Sequence, residues 1–316
     1  MSNQTKDSSA LPADDKRDIL RQRRLFLEQQ RDAVYARRKI LGVFEEETWL
    51  AKILRIVLRL AGVLHRGYRN AENPTIRRIV LPFDDLPEGF DGYRILHLSD
   101  LHFSAKHGVS KRALDTLRTV TADVCVITGD FLWGKSGPCA PVFERTAELV
   151  LNIVVSDGIY AVLGNHDRIQ FIDPLAKMGI RVLLNESFPI QRGNAALWFC
   201  GVDDPSFFKT ADLDTALSAV SEQAFVILLA HSPDLAEQAF VRGVRLYLCG
   251  HTHAGQICFP GIGAVHYNCR APRKICRGLW RLGTMTGYTS AGLGTTELPV
   301  RYNCPPEITL IELVKG

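Results

Sequence analysis

The stretch YLCGHTHAGQICFPG, residues 247–261, runs an apolar segment straight into two histidines one residue apart. A strand interior gains nothing from two imidazoles, because each brings ring nitrogens that need partners. At the end of a strand, on a turn thinned by Gly250 and Gly255, His251 and His253 can face one common object. That reading predicts further donor side chains at the ends of other strands.

Working outward, the chain supplies them. The runs YRILHLSD, DVCVITGD, IYAVLGNHD, LWFCGVDD, FVILLAHS and RLYLCGHTH are each rich in Val, Ile and Leu and end in polar or glycine-bearing residues. Helix-like stretches fall between several of them, at residues 110–120, 141–155, 212–222 and 234–242. Near-continuous apolar strands predict an α/β domain, from about residue 75 to 316, whose sheet is covered on both faces. Ligands gather at the carboxyl ends of such strands. There the sequence places Asp100, His102, Asp130, Asn165, His166, Asp167, His231, His251 and His253. Carboxylate, amide and imidazole without thiolate is a donor set for hard or borderline divalent ions. Seven of these groups, setting His166 and Asp167 aside, exceed what one ion needs. They suit two ions about 3.5–4 Å apart that share a carboxylate.

Composition narrows the alternatives. With 316 residues, 46% hydrophobic and 23% charged, the chain is long enough for one large core or two modest ones. A net charge of +4 is too small to argue for nucleic acid, and no nucleic-acid partner is expected. Of the eight cysteines, Cys125, Cys200 and Cys249 lie inside apolar runs, and no CxxC pair occurs. This usage fits a reducing compartment. No Gly-x-x-x-x-Gly-Lys-Ser/Thr loop is present, which argues against a P-loop ATPase.

The N-terminal 70 residues read differently. Residues 1–14 are polar and predict a disordered tail. Residues 15–47 form a charged helical pattern in which Ile19, Phe26, Ala33 and Ile40 recur every seven residues, as do Leu20, Leu27, Val34 and Leu41. Such a seam suits packing on the chain's own domain or self-association through residues 19–41. Residues 48–70, TWLAKILRIVLRLAGVLHRGYRN, predict one amphipathic helix with Lys52, Arg55, Arg59 and Arg66 on a single stripe. Its apolar runs fall short of the roughly 18–20 residues that span a bilayer. A wide apolar face, a basic stripe, Trp49 near one end and no acid from Thr48 to Ala71 describe a helix lying on an anionic membrane surface. A core helix with its basic stripe in water is the alternative.

The ordered set Asp-x-His, Gly-Asp, Gly-Asn-His-Asp, His and Gly-His-x-His resembles the calcineurin-like metallophosphoesterase superfamily over roughly residues 92–313. The tail SAGLGTTELPVRYNCPPEITLIEL, with GHTHAGQI, resembles the branch of bacterial membrane-associated phosphoesterases and UDP-2,3-diacylglucosamine pyrophosphatases. The resemblance implies a four-layer αββα sandwich behind an N-terminal helical extension. It implies two divalent metal ions; the nitrogen and oxygen donor set points to manganese first, with magnesium, iron or zinc as alternatives. Asp100, His102, Asp130 and His253 would hold one ion, and Asp130, Asn165, His231 and His251 the other. His166 would stabilise or protonate the leaving oxygen, oriented by Asp167. The activity implied is hydrolysis of a phosphoester or pyrophosphate bond by activated water.

One departure is visible: GDFLWGKSG places Trp133 and Gly134 where many relatives carry a carboxylate or small residue. Trp133, Lys135 and Arg168 are expected near the substrate. Arg273 and Arg277, in the basic stretch CRAPRKICRGLWRLG, are expected to meet phosphates, a solvated loop being the plainer alternative. With the basic helix, these features point to a lipid-linked substrate such as UDP-2,3-diacylglucosamine in lipid A biosynthesis. The protein would then be peripheral, at the cytoplasmic face of the inner membrane. A phosphodiesterase of soluble nucleotides or general phosphoesters is the main rival. A non-catalytic scaffold predicts eroded ligands, which this sequence does not show.

Overall fold

Residues 13–40, 49–103, 108–134, 139–264 and 266–316 are described by a computed structural model. Residues 1–12 of the tail predicted over 1–14, residues 41–47 of the first helical pattern, Thr48 and Lys135 lie outside these residues, whereas Ala13 and Asp14 already belong to the first helix. In chain order the principal strands are β1 (Thr75–Phe83), β2 (Tyr93–Leu98), β3 (Val124–Ile127), β4 (Ile159–Ala161), β5 (Ile180–Val182) and β6 (Glu186–Arg192). They continue with β7 (Ala195–Gly201), β8 (Phe225–Leu229), β9 (Leu246–Cys249), β10 (Gly278–Leu282), β11 (Met285–Thr289) and β12 (Glu307–Lys315). One sheet has the order β1-β12-β2-β3-β4-β5 and the other β10-β11-β9-β8-β7-β6. The central pairs β2–β3–β4 and β7–β8–β9 are parallel.

Strand periodicity sets the layers. Ile95, Val124, Val126, Ile227, Leu229, Leu246 and Leu248 point into the core between the sheets. Their neighbours Leu96, Cys125 and Ile127 point outward, onto helices α4 (Lys111–Leu117), α5 (Ala140–Val150) and α6 (Ile172–Lys177). On the other sheet Val226, Leu228, Tyr247 and Cys249 point onto α7 (Leu213–Leu217) and α8 (Ala236–Val241). Both faces of both sheets are therefore buried, which is the four-layer αββα sandwich. Each fully buried Leu, Ile or Phe in these layers contributes about 1.5–3 kcal/mol of burial. Cys125, Cys200 and Cys249 are buried core residues, and the cysteines of the described residues are free thiols.

The N-terminal helices correct two sequence expectations. Helix α1 (Ala13–Ile40) packs on the sandwich, but through its charged row: Arg24, Glu28 and Arg31 are buried, while Ile19, Phe26 and Val34 of the apolar columns are more than half exposed. Of the seven-residue columns, Leu20 packs on the outer core and Leu27 is half-buried, but buried ion pairs and backbone acceptors take over the centre of the docking face. Residues 48–70 do not form one helix. They make α2 (Trp49–Leu60) and α3 (Leu64–Ala71), broken at Gly62, whose φ of +71° suits a helix C-terminus. The Gly62 N–H bonds the Arg59 carbonyl and the Val63 N–H the Leu58 carbonyl, closing α2. Arg66 consequently leaves the stripe of Lys52, Arg55 and Arg59. Ala51, Leu54 and Leu58 seat α2 on Leu298 and Val300. Trp49, Leu50, Ile53, Ile56, Val57 and Leu60 face outward, from 48% to 84% exposed. Among the described residues no helix is long and apolar enough to cross a membrane.

Candidate metal centre

The carboxyl ends of β2, β3 and β4 from one sheet meet those of β8 and β9 from the other. The loops that follow are stitched together by backbone bonds: His102 N–H to the Asp130 carbonyl (2.9 Å), Asp100 N–H to that of Gly129 (3.0 Å), and Gly250 N–H to that of His231 (2.9 Å). This brings Asp100, His102 and His253 into one cluster and Asp130, His231 and His251 into another. Within each, the ligand atoms lie within 4.8 Å of one another, and all six residues are buried. The two clusters adjoin: Asp130 Oδ2 is 3.2 Å from His231 Nε2 and 3.8 Å from His102 Nε2. Asn165 Oδ1 is 3.1 Å from His231 Nε2 and completes the second group.

Backbone conformation marks the same residues. Asp100, His102, Asp130, His251 and His253 all have φ between +49° and +69°. A non-glycine residue there costs about 1–3 kcal/mol and persists where surrounding structure imposes it. Two glycines make room for the carboxylates: a Cβ on Gly250 would collide with Ser99 Oγ and Asp100 Oδ2, and one on Gly164 with Asp130 Oδ1.

Ring orientation suits cations. His102 Nδ1 donates to the Leu132 carbonyl (3.1 Å) and His231 Nδ1 to that of Thr128 (2.7 Å), leaving each Nε2 turned into the centre. Carbonyls in this position fix the tautomer that a metal-ligating imidazole needs. His102 Nε2 lies 3.0 Å from His253 Nε2, and His231 Nε2 lies 3.1 Å from His251 Nδ1. Burial lowers His102 to about 3 and His251 to about 4, and holds His253 well below the usual imidazole range. Burial also works against charge on Asp130, yet His231, with His166 and His102 behind it, keeps that carboxyl well below its ordinary value. His231, opposed by burial, is pushed up to about 10 by Asp130. Buried imidazoles facing each other around buried carboxylates, with His102, His251 and His253 held neutral, form a donor set that fits two divalent ions.

His166 sits at the rim, partly exposed. Its N–H bonds Asp130 Oδ1 (3.0 Å) and its Nδ1 donates to the Gly134 carbonyl (3.0 Å). Asp167 does not hold that ring: its carboxylate accepts the N–H groups of Asp130 (2.8 Å), Gly164 (2.8 Å) and Leu132 (3.1 Å). The expected orienting contact is thus replaced by Gly134, because the tight turn aims Asp167 back at the backbone. Trp133 borders the site, its ring 4.9 Å from that of His166 and 5.0 Å from that of His102. Arg168 pairs with Asp32 of α1 at 3.1 Å. Arg273 donates to the Ala264 carbonyl, and Arg277 to Cys258 Sγ (3.5 Å) and the Asn303 carbonyl (3.3 Å), which ties both to the segment after the histidine turn.

The sequence reading missed Arg301. It is fully buried and donates to the carbonyls of His253 (3.3 Å), Ala291 (2.8 Å), Gly292 (3.1 Å) and Gly294 (2.5 Å). It thereby ties the histidine turn to the strip beside Asp100. Its signal was a lone arginine between apolar and proline-bearing segments, which spacing alone does not distinguish from a surface cation.

Comparison with known proteins matches residues 93–255 to the calcineurin-like phosphoesterase family model. A Danio rerio protein named transmembrane protein with metallophosphoesterase domain is 30% identical over 84% of this chain; the chain spans 62% of that relative's length. The Bacillus subtilis metallophosphoesterase YkuE is 28% identical over 72% of this chain and 81% of its own. The Escherichia coli phosphodiesterase YaeI is 28% identical over 70% of this chain and 82% of its own.

Proposed function

The chain belongs to the calcineurin-like phosphoesterase family, and from that premise we propose that it is a metal-dependent hydrolase of phosphoester or pyrophosphate bonds. Asp100, His102, Asp130 and His253 would hold one divalent ion; Asp130, Asn165, His231 and His251 would hold the second, with Asp130 common to both sets. Manganese is the ion we assign first to this nitrogen and oxygen set. The observation that carries the reading is the convergence of buried carboxylates and imidazoles on five residues held in left-handed backbone. The bonds that stitch these loops hold that backbone in place, and together they aim the donor atoms at one point.

When bound, two such ions supply Lewis acidity toward a phosphoryl oxygen and acidify water at neutral pH. The protein's own groups do the rest. His166 has its Nδ1–H held by the Gly134 carbonyl, and from the doubly protonated ring Nε2–H passes its proton to the departing oxygen, leaving the imidazole neutral. Asp167 fixes the turns of Asp130 and Gly164, so that the shared carboxylate and Asn165 keep their aim. Trp133 walls the His102 and His166 side and limits which leaving groups enter.

The substrate we propose is lipid-linked, with UDP-2,3-diacylglucosamine the first compound to try, met by the enzyme at the cytoplasmic face of a membrane. What supports this is α2: an outward apolar face beside Lys52 and Arg59, with no acidic residue in the helix. A second reading is a phosphodiesterase of soluble phosphoesters; the name of the Escherichia coli relative supports its bond class and leaves the substrate open. A panel of lipid-linked and soluble pyrophosphates and diesters, offered to manganese-reconstituted protein, separates the two by product mass. Cleavage of soluble compounds alone, unchanged by vesicles, refutes the membrane reading.

A further inference from the structure

Helix α1 lies outside the family match, which begins at residue 93, yet it grips the loop that carries Asn165 and His166. Arg24 is fully buried. Its Nη1 pairs with Asp203 (2.6 Å), its Nε with Glu28 (3.1 Å), and its Nη2 donates to the carbonyls of Gly164 (3.0 Å) and Asp167 (3.3 Å). The guanidinium lies 3.6 Å from the centre of the Phe208 ring. One turn on, Glu28 accepts the Ile169 N–H (2.8 Å); two turns on, Arg31 donates to the Asn165 carbonyl (3.3 Å) and Asp32 pairs with Arg168 (3.1 Å). From Gly164 to Ile169, every residue except His166 takes a bond from α1.

This is an expensive way to dock a helix. Burying a charged row costs more than burying a well-packed apolar one, and an apolar set was available in Ile19, Phe26 and Val34, which the fold leaves exposed. What charges supply and leucines do not is directional hold on named carbonyls. The held carbonyls belong to the turn that presents the Asn165 amide oxygen and the His166 ring.

We propose that α1 is a built-in brace of the catalytic loop, with Arg24 and Arg31 as positioning residues that set the aim of Asn165 Oδ1 and of the His166 imidazole. The inference rests on the proposed reading of Asn165 as a metal ligand and His166 as proton donor. It makes the N-terminal extension part of the active centre as well as its route to a membrane. Hydrogen-bonding groups just behind metal ligands change affinity or activity by about 10–100-fold when removed.

The test uses the full chain, with Arg31→Met and Arg24→Lys, and Phe26→Ser on the exposed face as control. Four readouts are taken: thermal unfolding in chelator, Mn2+ titration, amide exchange over residues 164–169, and kcat and KM on bis(p-nitrophenyl) phosphate. Arg31→Met is expected to fold as wild type, to bind its weaker Mn2+ about 10-fold less tightly and to lose kcat by a similar factor, with KM little changed. Arg24→Lys keeps a cation against Asp203 but gives up the fork, and is expected to add faster exchange at the loop amides. Phe26→Ser is expected to match wild type throughout. Arg31→Met with wild-type Mn2+ affinity, loop exchange and kcat overturns the proposal, whatever happens to the stability of Arg24→Lys. Wild-type protein that takes up no Mn2+ overturns the metal reading and the brace together, so the two failures are distinguishable.

Discussion

Gly250→Ala places a single methyl group where the structure has no room for it. Gly250 is not in left-handed backbone, so alanine meets no conformational objection; the objection is contact with Ser99 Oγ and Asp100 Oδ2. Overpacking of this kind costs about 1–3 kcal/mol. The serine hydroxyl has a long 3.5 Å bond to the Thr128 carbonyl and another to the Asp100 carboxylate, and turning it away leaves Ser99 Cβ still 2.7 Å from the new methyl. The carboxylate is less free, because it accepts the His251 N–H at 3.0 and 3.2 Å. Strain therefore lands on Asp100 or on the turn bearing His251 and His253, and converts to a loss of about 5- to 150-fold in metal affinity. Calorimetric Mn2+ titration measures it, with thermal unfolding in chelator reporting the fold. Gly261→Ala is the control: its φ is +76° with no neighbour within 4 Å. It should cost about 1–2 kcal/mol of backbone strain and leave metal uptake unchanged. Wild-type Mn2+ affinity in Gly250→Ala, or equal weakening in both variants, refutes the reasoning.

Metal uptake should depend on pH with a defined sign. In the metal-free chain His231 is raised to about 10 by Asp130, against the effect of burial, so it is protonated at neutral pH and an ion must displace that proton. Apparent affinity should rise about tenfold per pH unit below that value, and titration at pH 7 in two buffers of different ionisation heat should show proton release; its absence contradicts the assignment. His166→Ala should keep wild-type Mn2+ binding while turnover falls by about 10²–10⁴-fold; loss of metal instead would make His166 a ligand. Ile53→Asp with Ile56→Asp, both on the exposed face of α2, should leave unfolding unchanged and abolish flotation with anionic vesicles. Equal flotation by the double variant argues against α2 as the membrane contact.

The strands and the ligands at their ends were legible because both follow from local pattern. Apolar runs such as FVILL and LYLC are too continuous for one-sided burial, and the polar residue that ends each has one place to go. What sequence did not disclose depends on contacts between distant segments. The left-handed backbone at Asp100, His102 and Asp130 falls on residue types that visit that region more than most but still seldom, so the loops stitched around them are what reveal it. Adjacency suggested that Asp167 serves His166, whereas turn geometry gives that carboxylate three backbone donors. Heptad columns suggested an apolar docking face on α1, and the partners that make Arg24 the buried residue instead lie 140 to 179 positions away. Gly62 was visible in the sequence as a glycine inside a helical pattern; its left-handed φ is what splits α2 from α3.

The claim on which everything else depends is that the two clusters form one centre sharing Asp130. Electron paramagnetic resonance of Mn2+-loaded protein, paired with metal analysis, tests it most directly. The account predicts two Mn2+ per chain, one for each cluster, with the spectrum of an exchange-coupled pair that collapses in Asp130→Asn. A single ion per chain, or two with the spectrum of isolated Mn2+, would contradict it.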